Sequence, residues 1–295
     1  MKLNMKQKNI LTAYSFVSPF FIMFGLFMVY PMIFSFYLSF HNWDGFSPAQ
    51  FIGLRNFLFL FKDRLFIQAL LNTVYIFLIS TPLQLVGALF LAAILNLSYI
   101  KLKNFFRAAF YLPIVASIVV ISVMFLVLYD YDYGLVNFVL SFLGFGKMPW
   151  LVSTDWSKIA LIIMISWRWT GYNMIIILAG MQAIPEEIYE AATIDGASRI
   201  ASFFKITLPL LRPVLIFCYI LMIIGLLQLF VEPYILTRGG PENSSLTIVH
   251  YLFKQGFEYF RLGYASTIAY VLVFFTFIFS YINMKFFSRG TGEEG

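Results

Sequence analysis

The chain has 295 residues, of which 61% are hydrophobic, 20% aromatic and only 12% charged. A soluble domain of this length cannot hide so much apolar surface, whereas a bilayer accepts it as solvent, so the composition excludes a soluble fold and points to an all-α membrane protein. The net charge is +6, but few of the 20 Lys and Arg fall inside apolar runs; the excess reports topology, and no basic stripe suggests nucleic acid.

In chain order, a polar start at 1–10 leads into six apolar segments. Crossing about 30 Å of hydrocarbon as a helix takes roughly 20 residues, and the segments lie near 11–40, 69–97, 105–129, 159–181, 213–231 and 264–287. Together they predict one membrane domain from 11 to 287, followed by a tail at 288–295. The first segment is too long for a signal-peptide core and no small-residue cleavage site follows it, so it is expected to stay in the mature protein. Pro19, Pro31, Pro82 and Pro113 interrupt the first three segments and read as ordinary kinks. Cys218 stands alone inside the fifth, which allows no intramolecular disulfide.

Basic residues set the orientation. Lys2, Lys6 and Lys8 precede the first segment, and Lys101, Lys103 and Arg107 crowd the turn after the second. Arg199, Lys205 and Arg212 lie between the fourth and fifth, and Lys285 and Arg289 close the sixth. The other side spreads its Lys and Arg over longer loops balanced by acids such as Asp44, Asp63, Asp130 and Asp132. The denser side is cytoplasmic by the positive-inside rule, which places both termini and the 182–212 loop inside. Trp43, Trp150 and Trp156 on the outer loops read as an interfacial belt.

The 182–212 loop carries its own helix signals. Pro185 followed by Glu186 and Glu187 is a start, with acids at the positive helix end. Asp195-Gly196 is a stop, because glycine accepts the positive φ that ends a helix. A second short amphipathic helix is expected from Ala197 to Lys205, with Ile200, Phe203 and Phe204 on one side, before Pro209 blocks its extension. Two short helices at an angle form a knob, and exposed aromatics on a knob suit either a partner groove or the membrane surface.

Within that loop, Glu190-Ala191-Ala192, Gly196, Ile206, Leu208 and Pro209 fill the E-A-A, three residues, Gly, nine residues, I-x-L-P pattern. It resembles the coupling loop of permease subunits in binding-protein-dependent ABC importers. Further stretches resemble the carbohydrate branch of that family. They are Gly53-Leu54-Arg55-Asn56-Phe57, the run from Trp167 to Pro185, Glu232-Pro233-Tyr234-Ile235-Leu236-Thr237 with Gly239-Gly240-Pro241, and Gly263-Tyr264-Ala265-Ser266. The resemblance implies a six-span type I importer permease in a bacterial plasma membrane, with a cytoplasmic coupling helix and alternating access. It implies a second homologous permease, two ATP-binding subunits and an extracytoplasmic sugar-binding protein as partners. It also implies that Glu190, Ala191, Ala192, Asp195, Gly196, Phe203, Phe204, Ile206, Leu208 and Pro209 serve ATPase coupling, and that Gly239, Gly240 and Pro241 form the binding-protein docking turn. No G-x-x-x-x-G-K-[ST] run is present, so the chain is not expected to be an enzyme, and ATP with Mg belongs to a partner. No cofactor, catalytic residue or metal site is expected; His41 and His250 sit on separate loops.

Candidate substrate-pathway residues are Arg168, Trp169, Tyr172, Asn173, Gln228 and Glu232. An uncompensated Arg near the bilayer midplane costs about 2.5–3.5 kcal/mol on insertion scales, so Arg168 should pair or face water. The resemblance places the positions of Arg168, Trp169 and Tyr172 at the sugar site of a maltose-type relative, which has leucine and glycine at the first two. The competing readings are an ion pair with a partner subunit for Arg168 and an interhelical hydrogen bond for Gln228. A neutral oligosaccharide is the expected cargo, with a uronate oligosaccharide or sugar phosphate as the alternative that Arg168 raises. A secondary carrier would show inverted repeats and acidic residues well inside spans, and neither is evident.

Overall fold

A computed structural model describes residues 4–97 and 99–288; Lys2, Arg289 and the tail beyond Ser288 lie outside the described residues. The first part of the chain holds α1 (Met5–Phe24), α2 (Tyr30–Leu38), the hairpin strands β1 (His41–Asn42) and β2 (Gln50–Phe51), α3 (Arg55–Leu60) and α4 (Arg64–Asn96). Next come α5 (Lys103–Val115), α6 (Ile118–Leu128), α7 (Leu135–Phe142), α8 (Trp156–Gln182), α9 (Glu186–Ile194), α10 (Arg199–Ser202) and α11 (Leu208–Leu210). The last are α12 (Arg212–Leu227), α13 (Val231–Leu236), α14 (Ile248–Phe253) and α15 (Leu262–Ser288). Among the described residues Leu11–Leu38, Arg64–Asn96, Trp156–Gln182 and Leu262–Ile282 are each long and apolar enough to cross a membrane. The number rises from 4 to 6 if each of two bent helix pairs is one span.

One bent pair is the third expected segment, which is not a straight helix: α5 and α6 meet at 96°. The break lies at Ala116 and Ser117, whose ψ values of 148° and 128° are extended. Pro113, a turn earlier, contributes no backbone donor there. The fifth segment ends sooner than its hydropathy suggests. α12 stops at Leu227, and Val231 opens α13 instead. Upstream of Pro31 the chain widens into a π turn over Gly25–Val29, one way a helix absorbs a missing donor without a sharp kink.

The chain packs as two compact units, Met1–Lys62 with Leu252–Val271 and Asp63–Tyr251 with Leu272–Gly295. In the first, Asn56 of the G-L-x-N-F stretch donates from Nδ2 to the carbonyls of Ser39 and His41, both at 3.0 Å. Gly263 lies so close that a Cβ there would fall 2.0 Å from the His41 carbonyl oxygen. The Thr267 hydroxyl donates to the Ser39 carbonyl at 3.0 Å, and that of Ser35 to Ser266 Oγ at 3.2 Å. These sequence motifs are therefore the joints of the unit. The Leu11–Leu38 helix buries none of its most apolar window against the rest of the chain.

In the second unit α4 runs along α8, α5 crosses α8, and α12 packs on both α4 and α8. Gly171 makes the α5 crossing possible: a Cβ there would stand 1.7 Å from the Phe110 carbonyl oxygen. Core side chains include Ile76, Ala88 and Ala92 of α4 with Met164, Met174 and Ile177 of α8, all fully buried. Trp150 departs from the interfacial belt. It is buried, its Nε1 donates to Asn137 Oδ1 at 3.0 Å, and its ring stacks on Tyr129 at 5.2 Å.

The stretch from Gly239 to Tyr251 is not a plain outer loop. Leu246, Thr247 and Ile248 are fully buried. Asn72 of α4 donates to the carbonyls of Asn243 and Leu246, and the Ile248 amide donates to Thr73 Oγ1 at 3.1 Å. Gly239 and Gly240 have φ of +91° and +74°, the region that glycine enters without strain. Gly239 is buried and Pro241 half-buried, so the surface of this turn is presented by Arg238 and Glu242.

Candidate functional site

The knob assembles from local rules. α9 begins directly after Pro185, with Glu186 and Glu187 in its first turn. It ends in a Schellman motif: the Ala197 amide donates to the Ala192 carbonyl at 2.9 Å, and the Gly196 amide to that of Thr193 at 3.0 Å. Gly196 supplies the required φ of +78°. Ser198 then caps α10, its Oγ accepting from the Ala201 amide at 3.2 Å. Pro209 does not stop the second helix. A π turn over Phe203–Thr207 absorbs the missing donor, α11 carries Pro209 in its first turn, and the chain bends by 63° only at Leu211.

Tyr189 Oη lies 2.9 Å from Thr207 Oγ1, tying α9 to the second limb, and Ala192 is buried between them. Glu190, Ala191 and Asp195 are exposed, while Phe203, Ile206 and Leu208 are half-buried. The most exposed large apolar side chains are Ile194, Ile200 and Phe204, at 86%, 73% and 60%. Ile194 escaped the sequence reading because it follows the E-A-A residues at the end of α9, outside the second helix's apolar stripe. Asp195, Gly196, Ser198, Ala201 and Lys205 line a shallow groove on the knob.

The second feature is a cavity of about 270 Å³ formed where α4, α8, α12 and α13 converge. Arg168, Trp169, Tyr172, Asn173, Gln228 and Glu232 all line it. Arg168 and Tyr172 share a face of α8 by their four-residue spacing. Arg168 Cζ lies 5.3 Å from the Trp169 ring centre, and the Trp169 and Tyr172 rings meet edge-on at 5.7 Å. Asn173 donates one Nδ2 hydrogen to the Trp169 carbonyl at 3.0 Å, which leaves its oxygen and its second amide hydrogen for the cavity. Gln228 is exposed at the end of α12, where the chain breaks before α13. The apolar wall comes chiefly from α12, including Leu221, Met222 and Leu226.

Arg168 has a carboxylate within reach in this chain. Its Nη1 is 3.8 Å from Glu232 Oε1, a loose pair in which the two residues are 8% and 3% exposed. Glu232 reaches it from the first turn of α13, which packs on α6 and α8. Burial pushes the Glu232 carboxyl above the usual carboxylate range, against the weaker pull of a backbone hydrogen bond and of Arg168. The guanidinium stays charged throughout the physiological range, so Glu232 sets the net charge of the cavity. The sequence reading missed Gln84 of α4, which is 1% exposed and also lines the cavity. Among the described residues no group of three His, Cys, Asp or Glu could hold a metal ion.

A family model for the inner membrane component of binding-protein-dependent transport systems matches residues 61–289. The chain belongs to that family. This permease is 39% identical over 284 residues to the lactose transport system permease protein LacF of Rhizobium radiobacter, covering 95% of each chain. It is 35% identical over 288 residues to the arabinooligosaccharides transport system permease protein AraP of Bacillus subtilis, covering 95% of this chain and 90% of that one. In structure it resembles a chain of a bacterial ABC transporter involved in the import of the acidic polysaccharide alginate. There the TM-score is 0.82 at 25% identity, over 96% of this permease and 97% of that chain. Its fold is that of the ABC importer permeases, an all-α inner-membrane component. It is a transport subunit and not an enzyme; in this family ATP is hydrolysed by a separate subunit.

Proposed function

We propose that this permease carries an oligosaccharide, neutral in charge, through the cavity between α8, α12 and α13, driven by an ATPase that docks on the α9–α11 knob. The observation that carries the reading is the convergence of Arg168, Trp169, Tyr172, Gln228 and Glu232 on one partly apolar cavity. A sugar needs flat faces for its C–H surfaces and hydrogen-bond partners for its hydroxyls, and this lining offers both. The names of the lactose and arabinooligosaccharide relatives agree with that chemistry. Arg168 favours a second reading, an anionic sugar derivative, but Glu232 at 3.8 Å offsets its charge.

In this reading the knob and both termini face the cytoplasm. The knob's exposed Ile194, Ile200 and Phe204 seat in a groove of the ATPase, where ATP and Mg are bound. A second homologous permease completes the pathway, and the sugar-binding protein meets the outer turn at Gly239-Gly240-Pro241 through its exposed neighbours Arg238 and Glu242. Closure of the ATPase pair moves the knobs and turns the cavity outward; release turns it inward. The test is uptake by the complete complex in proteoliposomes, offered lactose, arabinotriose, maltose and a uronate trimer. ATP-dependent uptake of a neutral sugar supports the proposal, and uptake of the uronate alone would replace it with the anionic reading.

A further inference from the structure

The cavity has a wall that the candidate residues of α8, α12 and α13 do not account for. Gln84 projects into it from α4 with 1% of its surface exposed, and its Nε2 has no hydrogen-bond partner among the described residues. Arg168 Nε, at the same cavity, also lacks one. A buried donor left unpaired loses its hydration with nothing in return, and a methionine would fill the same space without that cost. Thr81 Oγ1 and Ser166 Oγ are unpartnered as well, but neither lines the cavity; the two orphan donors that do are those of Gln84 and Arg168.

Gln84 lies one turn from a close contact between α4 and α8. Three residues along α4, on the same face, Gly87 lets the helix approach α8 so closely that a Cβ would fall 3.3 Å from Thr170 Cγ2. An amide is uncharged and offers a donor and an acceptor side by side, which suits the hydroxyls of a sugar ring and gives nothing to an anion that Arg168 does not already give. We propose that Gln84 is a specificity-determining contact on α4 that reads a sugar hydroxyl opposite the α8 residues. The proposal rests on the oligosaccharide reading above and adds to it a contact from α4 and a particular role, rejection of sugars lacking that hydroxyl.

The experiment compares wild-type and Gln84→Met complexes, purified with their partner subunits and reconstituted. The probe is the panel sugar that the wild type takes up fastest, together with its monodeoxy derivatives, and rates are normalised to assembled complex. The expected result is a fall of about tenfold in kcat/KM for the parent sugar. One deoxy derivative, discriminated against by the wild type, should be carried equally well by both complexes. If Gln84→Met loses parent uptake while every derivative falls by the same factor, the residue is a packing element and the proposal fails. It fails too if the variant keeps wild-type rates and preferences. Should Gln84→Met not assemble, Gln84→Glu keeps the shape and an acceptor but removes the donor, and the same derivative comparison decides. Absence of uptake of every panel sugar by the wild type would overturn the oligosaccharide reading itself, and this one with it.

Discussion

Two residues set the electrostatics of the cavity, and burial moves the titration of one of them upward. Arg168 is permanently charged, while burial raises the Glu232 carboxyl from its ordinary value of 4.5. A raised carboxylate takes its proton at a higher pH than an exposed glutamate would, so acidification turns the cavity from neutral to net positive. Inhibition of sugar uptake by a uronate trimer should therefore strengthen as pH falls toward the raised value. In Glu232→Gln that inhibition should be strong and independent of pH. Weak inhibition by the uronate in Glu232→Gln at every pH would show that Arg168 is not accessible to cargo. Gly196 poses a conformational question instead. Its φ of +78° is strained for any side chain, by about 1–2 kcal/mol, although a Cβ there would meet nothing within 4 Å. Gly196→Asp should leave the subunit in the membrane but twist α9 against α10, lowering transport and sugar-stimulated ATP hydrolysis together. Full transport by this variant would mean that the knob is only a surface helix.

At the scale of the helices, two glycines show opposite uses of a missing side chain. At Gly171 the space is occupied by α5, since a Cβ would meet the Phe110 carbonyl oxygen at 1.7 Å. At Gly225, on the cavity wall of α12, a Cβ would meet nothing within 4 Å. Gly171→Ala should force α5 off α8, at a cost of about 1–3 kcal/mol or more, and lower the melting temperature of the solubilised complex. Gly225→Leu should assemble normally and fill the cavity, reducing uptake severalfold; unchanged uptake would place the pathway elsewhere. Much of this architecture was legible in the sequence, because Arg168 and Tyr172 share a helix face and Asp195-Gly196 ends a helix by rules that need no tertiary contact. Other features were not. The 96° bend after Pro113 and the helix that runs on through Pro209 depend on how neighbours and π turns restore lost backbone bonds. Gln84 reads in sequence as one of several polar residues in a largely apolar 33-residue helix, and only the cavity distinguishes it from an interhelical hydrogen bond. The burial of Trp150 is not legible in sequence, because an aromatic near an apolar run fits both a headgroup belt and a buried stack.

For the whole molecule the deciding quantity is orientation, since the docking knob and the outer turn must lie on opposite sides of the membrane for one to meet an ATPase and the other a binding protein. The charge argument for this is statistical, a denser cluster of Lys and Arg on one side, and it acts through insertion rather than through any contact in the folded state. The fold supplies good reporters on each side. Ser198 is exposed on the knob, and Glu242 is exposed beside the Gly239-Gly240-Pro241 turn, whereas the neighbouring Ser244 is 6% exposed and would resist any reagent. The native thiol, Cys218, is fully buried in α12 and adds little background. A membrane-impermeant maleimide applied to intact cells should label Glu242→Cys and not Ser198→Cys, and inside-out vesicles should give the reverse. Labelling of Ser198→Cys from outside would overturn the topology and remove the knob from any cytoplasmic ATPase. The cavity residues would still converge, because their geometry is fixed within the unit that holds α4 to α13 and does not depend on which way that unit faces.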